Sequence, residues 1–320
     1  MPFTLTDNEF FSGLTNLALF LRLFATNTSK EPLDFVDSFM SDRLAYGNTK
    51  IFPFSDLPEV SDYSETSSLL AVTKVKTNEE TIQITEKKVI KSSYSEYILE
   101  MAVTSAAGMN EFIGYILGQM ESAKTDHLYN VIITDLYGRS LAGAKQNKTV
   151  NLLNVSSAAA AADINAAEII NQKRIALAVQ NEVDNISVFN TGYNELGYKQ
   201  ALDVSDMRFV IANPYKNEQV VNLFASLLKS EVIENAFSKP EMRYIPEVKV
   251  PGGQEKVIGW LMHKAYYQIF YKFVFMGSFF DASNLVINNF LHFWYGKGFL
   301  KNLPAVKFTA ELPDTAAAKA

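Results

Sequence analysis

The strongest constraint in this sequence is an apolar stripe of helical periodicity between Ser95 and Met120. Apolar or small residues recur every three or four positions, at Ile98, Met101, Ser105, Met109, Phe112, Ile116 and Met120. At 1.5 Å per residue this helix is a rod of about 39 Å, long for a globular protein. Gly108, Gly114 and Gly118 lie inside it at a cost of about 1 kcal/mol each, which indicates a close backbone approach or a bend. Packing within one subunit explains these glycines as well as packing between subunits does.

A second helix is predicted after a break near Ala123 to Thr125. Its apolar positions are Leu128, Val131, Ile132 and Leu136, and it ends at Tyr137-Gly138. The next residues, Gly138 to Lys145, read G-R-S-L-A-G-A-K, a near miss to the phosphate-binding loop. Ala144 stands where that motif requires lysine, and the segment follows a helix where the motif follows a strand. We therefore interpret it as a helix C-cap with a linker.

The segment before the first helix is predicted to form a long hairpin. Leu69 to Lys76 alternates apolar and polar residues, Thr77-Asn78-Glu79-Glu80 interrupts the pattern, and Thr81 to Ile90 resumes with β-branched residues. The hairpin mixes acids with four lysines, which suits a solvated or a partner-facing ribbon; the lysines are Lys74, Lys76, Lys87 and Lys88.

Near the N-terminus, Thr6 and Glu9 form a capping box ahead of an apolar-periodic run, so a short helix is predicted over Phe10 to Phe24. From Thr26 to Asp62 the pattern loosens, with three prolines and scattered aromatic residues. An extended arm on neighbouring molecules and a surface loop explain that segment equally well.

The second half of the sequence is predicted to be rich in strands. Asn147 to Asn154 has the pattern of a linker, and Ser156 or Ser157 caps an alanine-rich helix that continues to Val179. Met207 to Ala212 forms a strand, followed by a helix with an apolar face over residues 221–228. The remaining strand-like segments begin at Tyr244 to Val250, turn at Pro251-Gly252-Gly253, and run through Trp260, Tyr267, Phe275, Phe290 and Trp294. The fold class is therefore α+β, without βαβ repetition.

Composition excludes several classes of function. The net charge of -6 and the sequence pI near 5.3 leave no broad basic surface for a phosphate backbone. The chain has no cysteine, which excludes disulfides, thiolate nucleophiles and thiolate zinc sites. The late apolar run from Phe273 to Phe280 is much shorter than the roughly 20 residues that a membrane span needs.

The residues that usually carry chemistry are isolated. His127, His263 and His292 lie in no metal-ligand spacing. The sequence has no G-x-S-x-G or G-x-G-x-x-G motif, and Glu79 and Glu80 lie among lysines as a solvated pair. We therefore predict no catalytic, cofactor-binding or metal-binding residue and no cofactor.

Three passages resemble the coat proteins of phi-29-type podoviruses (Picovirinae-like). The first is M-N-E-F-I-G-Y-I-L-G-Q-M-E-S-A-K-T-D-H-L-Y-N-V-I-I-T-D-L-Y-G, from Met109 to Gly138. The second is S-D-M-R-F-V-I-A-N-P-Y-K-N-E-Q-V-V-N-L-F-A, from Ser205 to Ala225. A third, weaker passage, from Asn288 to Phe308, is similar to the closing strand of that family. The order of elements also resembles the Johnson fold of tailed-phage capsid proteins.

This resemblance implies a division of the chain into five parts. They are an N-terminal arm with a short helix over 1–62, an E-loop hairpin over 63–93, a spine helix and P-domain helix over 94–154, an A-domain over 155–255, and returning P-domain strands with a C-terminal tail over 256–320. The sequence departs from some relatives in ending at Ala320, without an immunoglobulin-like extension, so surface decoration through such a domain is not expected.

The function implied is that of a structural major capsid protein, not an enzyme. It would self-assemble in the host cytoplasm into an icosahedral virion head around double-stranded DNA. Its partners would be itself in pentamers and hexamers, a scaffolding protein and a portal protein, with only weak and non-specific contact to packaged DNA and none to membranes. The hairpin of one subunit would lie over the spine helix of the next.

Two alternatives stay open at this point. An encapsulin-type shell protein shares the fold and encloses an enzyme instead of a genome. A soluble enzyme with an unrecognised site would instead be a compact monomer or small oligomer with a deep polar pocket. Some capsids of the wider fold crosslink a hairpin lysine to an asparagine, and Lys74 to Lys88 offers candidates, but no motif selects one.

Overall fold

The computed structural model describes residues 30–44, 47–58, 60, 74–95, 106–153, 161–212, 241–245 and 257–311. Within these ranges the helices are α1 (Lys30–Phe39), α2 (Ala106–Gly138) and α3 (Ala161–Ser187). The strands are β1 (Thr49–Ser55), β2 (Thr77–Ser95), β3 (Asn147–Asn151), β4 (Met207–Ala212), β5 (Glu241–Ile245), β6 (Val257–His263), β7 (Tyr267–Asp281), β8 (Val286–Phe299) and β9 (Ala305–Glu311). The described residues fall into two compact units: unit 1 contains 30–50, 82–133 and 268–298, and unit 2 contains the rest.

A four-stranded sheet has the order β1-β2-β8-β7, and most of β2, β7 and β8 belongs to unit 1. β2 and β8 run antiparallel, with Lys87 opposite Trp294 and Ile90 opposite Leu291. Side chains of β8 are buried at alternate positions, because successive residues of a strand point to opposite faces. The buried face packs on α2, where Ile116 and Met120 contact Leu291. We call this buried side the inner face.

Helix α1 covers a further part of unit 1. Its apolar residues Phe35, Val36 and Phe39 are all buried, and the Phe35 ring meets the Tyr129 ring of α2 edge-on at 5.3 Å. The chain then joins the start of β7, where Ser41 N donates to the Ile269 carbonyl at 2.8 Å. This part of the predicted arm or surface loop is therefore packed and hydrogen-bonded.

Unit 2 is built on a five-stranded sheet in the order β3-β9-β6-β4-β5. β3 is parallel to β9 and β4 is parallel to β5, whereas the two inner pairings are antiparallel. Every residue of β4 is buried. Strands covered on both faces are expected to have continuous apolar sequences, and M-R-F-V-I-A fits that expectation.

Helix α3 covers one face of the five-stranded sheet. Its apolar side chains pack with those of the sheet into one core; the helix contributes Ile175, Ala176, Val179, Val183 and Ile186, and the sheet contributes Met207, Phe209, Ile211, Leu261, Val306 and Phe308 among others. Phe209 and Phe308 meet edge-on with ring centroids 6.0 Å apart.

The opposite face of this sheet meets the last turn of α2. Tyr137 lies edge-on against Trp260 at 4.8 Å. Lys307 donates to the carbonyls of Tyr137 at 3.3 Å and Arg139 at 3.1 Å. A lysine on carbonyl groups that a helix end leaves unpaired stabilises that end, and burial lowers the pKa of this lysine.

The predicted break at Ala123 to Thr125 is wrong, because α2 is continuous from Ala106 to Gly138. Thr125 is buried, and its hydroxyl donates to the Glu121 carbonyl one turn earlier at 3.0 Å. Lys124 forms an ion pair with Glu121 on the same helix. Short polar residues interrupt the apolar pattern here, yet they bond within the helix instead of ending it.

The predicted turn at Thr77-Asn78-Glu79-Glu80 is also wrong, since these residues begin the 19-residue strand β2. Glu80 is only half-buried, and its carboxylate accepts two hydrogen bonds from Lys301 N, at 2.9 and 2.8 Å. A tertiary contact therefore holds a polar stretch in an extended conformation. The predicted partner strand begins at Leu69; its residues up to Thr73 lie outside the described residues, and Lys74 to Lys76, which are described, form no strand.

Two segments that were predicted as irregular contain regular structure. The linker predicted over Asn147 to Asn154 contains β3, which pairs with β9. The loose segment from Thr26 to Asp62 contains α1 and β1. Pro53 lies within β1, which is possible because β1 is at the edge of its sheet, where a missing N–H is tolerated.

Other predictions agree with the structure or cannot be compared with it. The strand Met207–Ala212 and the strand-rich C-terminal part are confirmed, and α3 continues beyond Val179 to Ser187. Outside the described residues lie the helix over Phe10 to Phe24, the caps at Ser156 or Ser157, the helix over 221–228 and the Pro251-Gly252-Gly253 turn.

Candidate functional site

The side of the four-stranded sheet opposite α2 carries aromatic and cationic side chains, which are exposed on β2 and β7 and half-buried on β8. We call it the outer face and define it by Lys87, Val89 and Lys91 of β2, Phe290, His292 and Trp294 of β8, and Phe273 and Phe275 of β7. Val89 is 41% exposed and Phe275 is 54% exposed. Clustered exposed side chains of this size mark interaction surfaces more often than single exposed residues do.

The rings and lysines of the outer face contact one another. The Lys87 ammonium lies 4.7 Å from the centre of the Trp294 ring, and the Lys91 ammonium lies 5.8 Å from that of Phe290. Phe273 packs on Trp294 at 5.2 Å. Such cation–π contacts hold the lysines over flat apolar rings and leave their outward N–H groups available to an acidic partner.

The turn between β7 and β8 adds a second exposed surface. Leu285 has a φ of 53° and is 57% exposed. The Asp281 carboxylate organises this turn by accepting from the Ser283 hydroxyl at 2.5 Å, from Asn284 Nδ2 at 2.7 Å and from Ser283 N at 3.0 Å, and these hydrogen bonds lower the pKa of Asp281. A branched apolar residue in the left-handed region is strained, so Leu285 costs stability at this exposed turn.

Unit 2 exposes apolar residues on α3 and just beyond it. Ile169, Ile170 and Leu177 project from the helix, and Leu177 is 60% exposed. Val188 and Phe189 follow the helix end, and the Lys199 ammonium lies 6.0 Å from the Phe189 ring. Both units therefore present apolar side chains outside their cores.

One buried ionisable group of unit 2, Glu182, is held by two structural contacts. Glu182 of α3 accepts from the Tyr193 hydroxyl at 2.7 Å and pairs with Lys148 of β3 at 2.9 Å. Burial, followed by the hydrogen bond to Glu182, raises the pKa of Tyr193. These contacts fix helix to strand, and each charged group is used in holding the fold.

A second cluster of partly buried side chains consists of Arg139, Glu195 and Tyr266. Arg139 forms an ion pair with Glu195 and lies over the Phe299 ring at 4.8 Å. Burial raises the pKa of Tyr266 to about 12. A phenol with this pKa stays protonated at neutral pH, which suits a hydrogen-bonding role.

The three histidines lie at separate places. His127 Nε2 is 3.0 Å from the Tyr295 hydroxyl on the inner face, and burial lowers its pKa. His263 Nδ1 accepts from Ala265 N at 2.9 Å, and burial lowers its pKa as well. His292 stacks on Phe290 on the outer face. In the part of the chain that the structure describes, no group of three or more potential ligands is close enough to hold a metal ion.

The near miss to a phosphate-binding loop has other hydrogen-bond partners. α2 ends at Gly138, as the sequence predicted, and a short 3-10 turn over Ala144–Gln146 leads into β3. Gly143 N donates to Gln146 Oε1 at 3.1 Å, and Lys145 donates to Asn190 Oδ1 at 3.1 Å. The order is helix, turn and strand, the reverse of a phosphate-binding loop.

Of the predicted carboxylate pair, Glu79 is exposed, whereas Glu80 is not simply solvated, because it accepts from Lys301 N and burial raises its pKa. A cavity lined by Asn190, Asn194 and Gln200 has room for about one water molecule, too little for a substrate. Among the described helices none is long and apolar enough to cross a bilayer.

The sequence reasoning missed most of the outer face. It identified Lys87 as solvated or partner-facing, and the structure places that lysine on this face. It treated Phe290 and Trp294 only as strand residues. They alternate along β8 with Leu291, Phe293 and Tyr295, so both faces of the strand carry aromatic residues. The pattern of polar and apolar residues therefore does not show which face is exposed.

Comparison with known proteins decides between the phage capsid, encapsulin and enzyme interpretations. The profile of the Phi29-like phage major capsid protein family matches residues 3–309. The chain belongs to this family. It is a major capsid protein of a phage, a structural component of the capsid shell and hence of the virion. The match favours the phage capsid interpretation over the encapsulin and enzyme alternatives, and the Phi29-like family is consistent with a podovirus.

Solved structures show the same fold. The capsid structure of Staphylococcus phage Andhra matches with a TM-score of 0.60 at 8% identity, covering 85% of this chain and 83% of that chain. The capsid structure of cyanophage P-SCSP1u gives 0.54 at 14% identity, covering 86% and 88%. The mature capsid of bacteriophage PhiM1 gives 0.53 at 8% identity, covering 86% and 85%. The predicted α+β tailed-phage capsid fold of the Johnson type is confirmed. No curated protein matched the sequence in a separate search.

Proposed function

We propose that this capsid protein assembles with copies of itself into pentamers and hexamers, which close into an icosahedral head around a double-stranded DNA genome. The observation that carries the proposal is the outer face, where one side of a well-packed sheet carries exposed lysines, the exposed rings of Phe273 and Phe275, and half-buried rings of β8. Shells form from many heterologous contacts of modest strength, and such contacts need apolar surface outside the subunit core.

We also propose the division of the chain that the family resemblance implies. The N-terminal arm would occupy 1–62, the E-loop 63–93, the spine and P-domain helices 94–154, the A-domain 155–255, and the returning P-domain strands with the tail 256–320. The long helix α2 supports the spine assignment. Helix α3 and strands β4 and β5 support an A-domain assignment for their region.

The proposed partners follow from the same family. They are a scaffolding protein and a portal protein, with only weak and non-specific contact to packaged DNA, as the net charge of -6 supports. We also propose that the protein has no catalytic activity and binds no cofactor, because it belongs to a family of structural proteins.

Light scattering and negative-stain microscopy test the proposal directly. The protein is expressed alone, then together with a candidate scaffolding protein. Closed shells or sheets of one lattice in either preparation are the expected result. A homogeneous monomer near 35.8 kDa under every condition would contradict it. Such a monomer would have a radius of gyration of about 20 Å.

A further inference from the structure

Two short segments lead out of the four-stranded sheet into the connection between β1 and β2, and a hydrogen bond joins them. β1 and β2 are neighbours in that sheet. Just beyond the end of β1 and just before the start of β2, Asp56 N donates to the Lys76 carbonyl at 2.9 Å. The connection therefore leaves from two segments that are held together. We call residues 54–56 and 76–80 the base of the connection.

Two loops of unit 2 are bonded to each other beside this base. Glu195 N donates to the Lys301 carbonyl at 3.0 Å, which joins the loops. The first loop is also closed on itself, because Asn190 and Gln200 exchange two backbone hydrogen bonds, of 2.9 and 3.0 Å. The base and both loops belong to the same compact unit. We call the two loops, residues 190–200 and 300–305, the platform.

Each segment of the base contacts the platform through a carboxylate that accepts a backbone N–H. On the first segment, Asp56 Oδ1 accepts from Lys199 N at 3.0 Å. On the second, the two oxygens of Glu80 accept from Lys301 N at 2.9 and 2.8 Å. Hydrogen bonds to ionised carboxylates are among the stronger ones in proteins. Two such bonds therefore connect the base to the platform, one on each side.

The platform holds its own side of these contacts in place. The buried side chain of Asn194 accepts from Tyr198 N at 2.9 Å and donates to the Tyr198 carbonyl at 2.6 Å. Gly197, with a φ of 70°, permits the tight turn that this exchange requires. The Tyr198 ring lies 5.5 Å from the Phe54 ring of the base. The N–H group of Lys199 is thus presented from a well-braced turn.

We infer that Asp56 and Glu80 are positioning residues, which fix the direction in which the connection between β1 and β2 leaves the subunit. Their bonds lie on different segments of the base, so together they resist a rotation that either bond alone would allow. The inference rests on the proposed self-assembly. A segment that is already held in one direction loses less conformational entropy when it meets another copy.

The geometry assigns this role to the oxygen atoms of the two acids and not to their negative charge. The donors in both contacts are backbone N–H groups, which a side-chain amide oxygen can also bond. Asparagine at position 56 and glutamine at position 80 would keep an acceptor oxygen in place and remove the charge. Alanine removes both, so the two kinds of substitution separate the hydrogen bond from the charge.

Double electron–electron resonance between two spin labels measures the position of the base. The chain has no cysteine, so Thr77→Cys at the exposed start of β2 and Asn181→Cys on the exposed side of α3 give two unique labelling positions within unit 2. Unassembled protein with both acids intact is expected to give one narrow distance distribution. Asp56→Ala with Glu80→Ala is expected to broaden it at least about twofold, because the freed base samples more positions. Asp56→Asn with Glu80→Gln is expected to keep it narrow.

Assembly provides the functional readout. The double alanine variant is expected to need at least about tenfold more protein for assembly, since only the fraction with the correct direction is competent. The double amide variant is expected to stay within about threefold of wild type. The matched control is Glu79→Ala with Asp203→Ala, which also removes two carboxylates; Glu79 is exposed, and Asp203 accepts from Ser205 N elsewhere in unit 2. This control should change neither the distances nor the assembly.

Circular dichroism and urea unfolding confirm that each variant is folded. If the double alanine variant does not fold, Asp56→Ala and Glu80→Ala are measured singly, and each should give part of the broadening. An unchanged distance distribution in the alanine variants, or equal broadening in the alanine and amide variants, would overturn the inference. Broadening with wild-type assembly would overturn it as well, while wild-type shells still support the proposed function. Absence of wild-type assembly would overturn the proposed function, and the distances, which need no assembly, would still decide whether the two acids position the base.

Discussion

The two sheets of this protein are covered to different degrees. In the five-stranded sheet every residue of β4 is buried, and β6 is buried except for its last residue. In the four-stranded sheet β8 alternates, so that Leu291 and Phe293 are buried while Phe290 and Trp294 lie on the outer face. Both sheets are rich in apolar residues, yet among the side chains that the structure describes only the four-stranded sheet keeps them at the surface.

This difference separates the residues that stabilise the fold from the residues that are available for assembly. An apolar side chain that is already buried contributes to folding, whereas an exposed one gains its burial only when a partner arrives. Substitutions in the five-stranded sheet should therefore act on unfolding. Substitutions on the outer face should act on assembly and leave the unfolding free energy almost unchanged.

The largest expected contrast is between two phenylalanines. Phe308 is fully buried, and Phe308→Ala is expected to lower the free energy of unfolding by about 3–5 kcal/mol, since it removes a large side chain and leaves a cavity. Phe275→Ala on the outer face is expected to lower it by less than about 0.5 kcal/mol while weakening assembly. Urea unfolding of unassembled protein and light scattering measure the two effects. Equal losses of stability would contradict the distinction between the sheets.

The next contrast compares two glycines. A Cβ built on Gly259 of β6 would lie 2.3 Å from the Val210 carbonyl oxygen, and this backbone atom cannot move away without breaking the sheet. Gly259→Ala is expected to cost about 1–3 kcal/mol. A Cβ on Gly277 of β7 would lie 3.1 Å from the exposed Phe275 ring, which can turn aside. Gly277→Ala is expected to cost less than about 0.5 kcal/mol, and thermal unfolding of both variants checks the difference.

A smaller effect is expected at the turn between β7 and β8. Leu285→Asn should raise the free energy of unfolding by about 1 kcal/mol, because asparagine adopts a positive φ more readily than leucine. The same substitution should weaken assembly if the exposed leucine contacts another subunit. Ala282→Asn in the same turn is the control and should change neither quantity. A loss of stability in Leu285→Asn would show that the strain argument is wrong.

The smallest expected effect is on pH dependence, and each unit provides one histidine to test it. Burial lowers the pKa of His127 in unit 1 and of His263 in unit 2 below the ordinary value of 6.5. As the pH falls below about 6.5, the unfolded chain takes up protons before the folded one, so stability declines until the folded pKa is passed. His127→Gln and His263→Gln should each flatten this decline. Parallel wild-type and variant curves of stability between pH 7.5 and pH 5 would refute it.

Much of the fold could be predicted from the sequence because local patterns agree with tertiary packing there. The continuous apolar run of β4 and the small, helix-favouring residues of α3 are two examples. Predictions failed where distant contacts override local preference. Glu80 is extended because Lys301 N binds its carboxylate, and Thr125 stays helical because its hydroxyl bonds one turn back.

The candidate site was harder to predict than the fold. Periodicity shows that the residues of β8 alternate between two faces, but both faces are aromatic, so the sequence does not show which one is covered. The distinction comes from α2, whose Met120 packs against Leu291. The sequence did indicate the charge of this surface, through the lysines of β2.

The most direct test of the central claim is sedimentation velocity of the purified wild-type protein beside the Lys87→Glu, Lys91→Glu double variant, under conditions that favour assembly. The account predicts shell-sized particles for wild type and a shift to small species for the variant, with both proteins equally stable in urea. Shell-sized particles of equal yield from both proteins would contradict the assignment of the outer face, and a wild-type protein that sediments only as a monomer would contradict the assembly function itself.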